Sequence, residues 1–161
     1  EAQSIVAARP LAAGDLAGLA KIEAFAKETM RLFPPAPLMA RRTVKHETWG
    51  EHELPPGTTL FIPIYAIHRH RKLWRDPERF DHTRFLGDNA KRIPRTAYMP
   101  FGAGPRICIG GTFAMLEIVG ALAILLRRVR FSTDPATRCE PIQRITLRPK
   151  HGMLLSLAPI D

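Results

Sequence analysis

Phe101-Gly102-Ala103-Gly104-Pro105-Arg106-Ile107-Cys108-Ile109-Gly110 is a glycine-rich loop with a single cysteine, and it leads straight into the most apolar helical pattern of the chain, Thr112 to Leu126. Glycines at 102 and 104 allow backbone angles that a side chain forbids, so a flat or bulky group can approach the main chain closely. The spacing places Cys108 at the mouth of a helix, where unpaired N–H groups and the helix dipole favour a thiolate over a thiol. Arg106, two residues earlier, adds a fixed positive charge. A thiolate on a bare glycine loop is a soft ligand suited to iron or another thiophilic metal. A dinucleotide-binding loop would need glycine where Ile107 stands, and a phosphate loop would need Lys before Ser or Thr. A buried structural cysteine, the default reading of a lone Cys, has no need of this loop.

Upstream, about Ala20 to Phe33 predicts an amphipathic helix with Ile22, Phe25, Ala26 and Met30 available for its buried side, ended by Pro34-Pro35. Glu28 and Arg31 stand three residues apart on one face of it, where carboxylate and guanidinium pair. Taken alone, that spacing fits an ordinary surface pair. Glu1 to Ala8 reads as the end of an earlier helix, broken at Arg9-Pro10. Short extended runs follow in 38–44 and 49–64, of which Thr58 to Ile62 is the clearest strand. His68 to Phe85 is dense in charge, but its histidines match no metal-ligand spacing. Gly87 to Met99 reads as a loop exposing Lys91, Arg92 and Arg95. Beyond the apolar helix, Val129–Phe131, Ile145–Arg148 and Met153–Leu157 read as strands, the last two joined as a hairpin through Pro149 to Gly152.

Composition bounds the chemistry. The 161 residues are 45% hydrophobic and 24% charged, enough for one globular domain or a large part of one. Fifteen prolines and 7% aromatics argue for many turns and a mixed architecture. The net charge of +9 raises the question of an acidic partner, yet no nucleic-acid-binding pattern accompanies it, so no nucleic acid is expected. The two cysteines, Cys108 and Cys139, lack the spacing of a disulfide scaffold or zinc site, which fits a reducing cytoplasmic setting. No secretory signal or membrane segment is expected within these residues.

Phe101, Gly104, Arg106, Cys108 and Gly110 occupy the fixed places of F-x-x-G-x-R-x-C-x-G, and the loop resembles the heme-binding loop of the cytochrome P450 family. Glu28-x-x-Arg31, followed by Leu32-Phe33-Pro34-Pro35-Ala36-Pro37, resembles the family's second hallmark, and the end of the chain, Leu147 to Gly152, resembles its C-terminus. The resemblance implies heme b (iron protoporphyrin IX) as cofactor, Cys108 as axial ligand of its iron, and Phe101, Gly104, Arg106 and Gly110 around it. It implies that Arg41, ten residues beyond Arg31, reaches a heme propionate, with the adjacent Arg42 able to substitute. It also implies a buried charge network of Glu28, Arg31 and a further arginine. The literal Pro77-Glu78-Arg79-Phe80 invites Arg79 for that place, but the family repeats the phrase, and the second copy, Phe80 to Phe85, favours Arg84. His82 stands where that copy has proline, which puts the local turn in question.

The fold implied is mixed α+β, the proximal C-terminal half of the family's fold, with residues 1–161 as the heme-binding portion and the distal N-terminal portion absent. The activity implied is a heme-thiolate monooxygenase oxidising a small organic substrate with dioxygen. Electrons would come from an acidic ferredoxin- or flavodoxin-type partner on the basic face. No catalytic residue beyond the ligand thiolate is expected in this chain: Ala13-Gly14-Asp15-Leu16-Ala17 lacks the threonine of the family's oxygen-activating element. A chain inactive by itself, a non-functional remnant, and a heme-binding or interaction protein without catalysis are the competing readings.

Overall fold

The structure, a computed structural model, describes residues 11–134 and 136–160. The helix expected at Glu1–Ala8 lies outside the described residues. Helix α1, Ala20–Leu32, is built from strong helix formers and stops one residue before Pro34-Pro35, which cannot continue it. Its buried face carries Ile22, Ala24, Ala26, Met30 and Leu32, together with Glu28 and Arg31. Phe25 departs from expectation: it is half exposed and packs against the ring of Phe80, 5.0 Å away, across the surface.

After the prolines the chain runs into strand β1 (Met39–Arg42), strands β2 (Glu47–Trp49) and β3 (His52–Leu54), and strand β4 (Thr59–Ile62). Strands β2 and β3 form a hairpin turned at Gly50, whose φ of +60° is open to glycine at no steric cost. Strands β1 and β4 pair antiparallel, Met39 opposite Ile62 and Arg42 opposite Thr59. One helical turn, α2 (Ile64–Ile67), then leads into an irregular stretch. Within the segment expected to be a loop lies a short helix, α3 (Gly87–Arg92). Its first three residues, Gly87-Asp88-Asn89, are poor helix formers, but Asp88 in the first turn and Lys91 and Arg92 in the last complement the helix dipole, and Lys91 pairs with Asp88 at 2.8 Å.

Helix α4 spans Gly111–Arg128 and packs on α1 through Val119 and Ala123 against Leu19 and Ile22. The C-terminal hairpin is not the one expected. Strand β7 (Leu147–Pro149) pairs with β6 (Pro141–Gln143), and β8 (Ser156–Pro159) with β5 (Val129–Ser132). The turn at Gly152 (φ +75°) forms, yet Lys150 is drawn back to Glu140 by a backbone bond of 2.9 Å and an ion pair of 2.9 Å. Partner choice was decided by that contact and by Phe131 opposite Leu157, neither visible in local pattern.

Helix α4 is apolar nearly all round but is covered along one seam only. Phe113 is 71% exposed, Leu116 49% and Leu125 47%. Apolar surface left in water forgoes about 25 cal/mol per Å², and a domain is stable by only about 5–15 kcal/mol. The 161-residue chain expressed alone is therefore expected to be aggregation-prone or molten, with dye-binding apolar surface and no near-UV circular dichroism. A purified monomer with a sharp thermal transition would contradict this.

Candidate functional site

The cysteine loop is shaped by two left-handed glycines and a short ladder of backbone bonds. Gly102 (φ +81°) and Gly104 (φ +73°) adopt angles that other residues avoid, and a Cβ on Gly102 would come into contact with Met39 Sδ at 3.4 Å. The Gly102 N–H donates to the Met99 carbonyl (3.0 Å), the Ile107 N–H to Gly104 (3.1 Å), and the Cys108 N–H to Phe101 (2.9 Å). Gly110 serves differently: its φ is −85°, and a Cβ there would lie 3.9 Å from Cys108 Sγ, on the side where the thiol stands. Gly111, which the loop pattern does not single out, opens α4 and lets the Phe101 ring approach. A Cβ would meet that ring at 3.2 Å.

Cys108 is exposed and opens into a cleft of about 500 Å³. Pro35, Ala36, Met39, Pro100 and Phe101 give the cleft apolar walls, and Arg41 and Arg106 bring two guanidinium groups to it. The alternation of side chains along β1 separates the two adjacent arginines. Arg41 faces the cleft, whereas Arg42 turns away and donates from Nε to the Gly57 carbonyl at 3.0 Å. Gly57, at φ +86°, leaves room for it. The donor set suits a flat apolar macrocycle with two carboxylates: one soft axial ligand, apolar walls and two cations. Among the described residues no group of three or more His, Cys, Asp or Glu is placed to hold a metal ion. A porphyrin brings its own equatorial ligands.

Behind the loop lies a charge network. Glu28 and Arg31 are both fully buried, and Arg31 uses every donor it has. Nε and Nη2 bind the two carboxylate oxygens of Glu28 at 2.7 and 2.8 Å. Nη1 reaches the carbonyls of His68 (2.9 Å) and Pro77 (2.7 Å), and Nη2 that of Arg79 (3.2 Å). The Asp81 N–H donates to Glu28 Oε1 at 2.8 Å. The second arginine side chain at Glu28 is Arg84, whose Nε lies 3.5 Å from Oε1 as a charge contact without hydrogen-bond geometry. Arg79 offers its backbone carbonyl while its side chain faces solvent. The turn that lacks proline at His82 is held by Asp81, which caps it by accepting the Thr83 N–H at 3.0 Å. Hydrogen bonds from Thr83, aided by Arg84 and Arg79, hold the Asp81 carboxyl below its usual range.

His68, hidden at the head of the charged run, is fully buried. Its Nδ1 faces the Arg31 carbonyl at 3.2 Å and so carries the proton, and its Nε2 accepts the Met99 N–H at 2.8 Å. Desolvation foremost, with the nearby charges of Arg31 and Arg69, lowers its pKa from 6.5 to about 4. Between those values the unfolded chain binds the proton and the folded one does not, so stability falls as pH drops from about 6.5 to 4. The loss amounts to about 3 kcal/mol. His68→Gln is expected to flatten that stretch of the pH–stability curve, measured by denaturant unfolding. An unchanged slope would show that His68 is not its source.

If the cleft holds the heme that the sequence resemblance implies, the roles of the two adjacent arginines are separable by mutation. Arg41→Ala is expected to weaken heme retention several-fold, as loss of one charge-assisted pair does, while Arg42→Ala leaves it near the parent value. Heme release to an acceptor protein, in a polypeptide of full family length carrying this chain, measures both. Equal release from the two variants would contradict the assignment.

Residues 1–156 match the family model described as Cytochrome P450. The chain is 40% identical over 153 residues to "Putative cytochrome P450 132" of Mycobacterium tuberculosis, covering 95% of this chain and 33% of that protein. It is 40% identical over 147 residues to "Cytochrome P450 4B1" of Homo sapiens, covering 91% and 29%. A solved structure titled "Crystal structure of cytochrome P450DA heme domain" superposes with a TM-score of 0.90 at 26% identity, over 99% of this chain and 35% of the other. The chain thus spans about a third of the length of the proteins it matches.

Proposed function

Because this chain belongs to the cytochrome P450 family, we propose that Cys108 is the axial thiolate of a heme b iron and that the chain is the proximal part of a monooxygenase. The observation that supports this most is the meeting of one thiol and two guanidinium groups at a single apolar cleft. Arg41 and Arg106 would pair with the two propionates, since guanidinium matches carboxylate bidentately. Met39, Pro100 and Phe101 would lie against the macrocycle, and Gly104 and Gly110 would keep the approach clear. The heme, when bound, supplies dioxygen activation, which a thiolate ligand favours by donating electron density.

The chain's own residues hold the ligand in place. The Phe101 carbonyl fixes the Cys108 amide, Gly111 admits the Phe101 ring, and the Glu28–Arg31 pair fastens helix α1 to the turns that precede the loop. Lys91, Arg92 and Arg95 are exposed and basic, which suits electron delivery by an acidic ferredoxin- or flavodoxin-type partner. Among the described residues no helix is long and apolar enough to cross a membrane. The substrate is a small organic molecule taken up by the complete enzyme, and the 161 residues alone carry no turnover. Labelled dioxygen tests the activity: with electrons supplied, a full-length protein carrying this chain places one labelled oxygen atom in an organic product. Electron consumption with no labelled product, for any substrate that shifts the heme spectrum, would overturn the reading.

A further inference from the structure

Two systems of this chain look independent: the charge network under helix α1 and the loop that presents Cys108. A buried imidazole connects them. The Arg31 carbonyl accepts from His68 Nδ1 (3.2 Å), and Nε2 of the same ring accepts the Met99 N–H (2.8 Å). The Met99 carbonyl in turn accepts the N–H of Gly102 (3.0 Å), the left-handed glycine beside Phe101, and the Phe101 carbonyl accepts the Cys108 N–H (2.9 Å). In the other direction the His68 carbonyl accepts from Arg31 Nη1 at 2.9 Å, so His68 grips Arg31 through both its ring and its backbone. The ring is held in plane by Tyr98, stacked at 5.3 Å, whose hydroxyl donates to the Lys27 carbonyl of α1 at 3.0 Å.

We propose that His68 is a positioning residue that couples the Glu28–Arg31 network to the cysteine loop, setting the register in which Cys108 is presented. The coupling needs both ring nitrogens at once, one donating and one accepting, which only the neutral imidazole supplies. Of the neutral amide side chains, asparagine reaches about as far as Nδ1 and glutamine about as far as Nε2. Each is a half-mimic. The part of the proposal that concerns the ligand rests on Cys108 being the heme thiolate; the part that concerns the loop does not.

Amide hydrogen exchange on the heme-loaded protein of full family length separates the two. His68→Asn keeps the bond to Arg31 and loses the one to Met99, so the Met99, Gly102 and Cys108 amides should exchange about tenfold faster, the worth of one hydrogen bond. His68→Gln keeps the Met99 bond, and those amides should stay near the parent rate. The reduced, carbon-monoxide-bound spectrum should follow the same order, with Asn giving the larger share of non-thiolate band. Ile64→Ala, a cavity at a fully buried neighbour whose carbonyl holds the His68 N–H at 2.9 Å but whose side chain is outside this chain of bonds, should raise exchange broadly without favouring the loop. Asn and Gln variants with equal loop exchange, or a loop effect no larger than that of Ile64→Ala, would overturn the coupling. Should the exchange order hold while no variant shows a thiolate band, the coupling stands and the assignment of the ligand fails.

Discussion

Replacing Glu28 or Arg31 by alanine is expected to cost about 3–5 kcal/mol or to prevent folding. Both side chains are fully buried, and each is the other's main counter-charge. Without Glu28 a guanidinium is left charged in the interior. Without Arg31 a carboxylate is stranded, and the carbonyls of His68, Pro77 and Arg79 lose their donor, which unfastens α1 from the turns before the cysteine loop. Arg84→Ala should cost less, since Arg84 adds one contact at 3.5 Å and a bond to the Asp76 carbonyl at 3.0 Å from a partly solvated position. Arg79→Ala should be mild because the bond it offers comes from its backbone. Denaturant unfolding in a full-length context gives the order Arg31 and Glu28, then Arg84, then Arg79. Loss of heme incorporation in Arg79→Ala with Arg84→Ala tolerated would reverse the reading of the repeated phrase.

The second large effect is on chemistry and spares the fold. Cys108→Ala should remove thiolate ligation and with it oxygen insertion, a loss to background. The stability of the heme-free full-length protein should stay within about 0.5 kcal/mol of the parent, as it does for surface substitutions. The side chain is exposed, and the loop is held by backbone bonds from Gly102, Ile107 and Cys108 that alanine keeps. A variant that unfolds would place Cys108 in the structural class of cysteines instead.

The site was legible in the sequence where chemistry is local. The glycines at 102 and 104 need left-handed angles, and a loop so built announces close approach. Glu28 and Arg31 share a helix face by their spacing, whereas the sequence left Arg41 and Arg42 interchangeable and only the placed strand β1 separates them. What escaped was set by tertiary packing. His68 sits in a run of charged residues with every mark of a solvated surface, and its burial comes from Arg31, Tyr98 and Met99, far away in the chain. Phe25 follows the helical period of a core residue but meets Phe80 at the surface. The pairing of β6 with β7 is flanked by the Glu140–Lys150 contact, and that of β5 with β8 sets Phe131 opposite Leu157; no local pattern ties either together. Helix α3 opens on the poor helix formers Gly87, Asp88 and Asn89, and its charges are ordered along the dipole.

The reduced, carbon-monoxide-bound spectrum of the heme-loaded protein tests the central claim most directly, compared among the parent, Cys108→Ala and Cys139→Ala. The far-shifted Soret band of thiolate ligation is expected in the parent and in Cys139→Ala, and is expected to be absent in Cys108→Ala. A band that survives in Cys108→Ala and disappears in Cys139→Ala would contradict it.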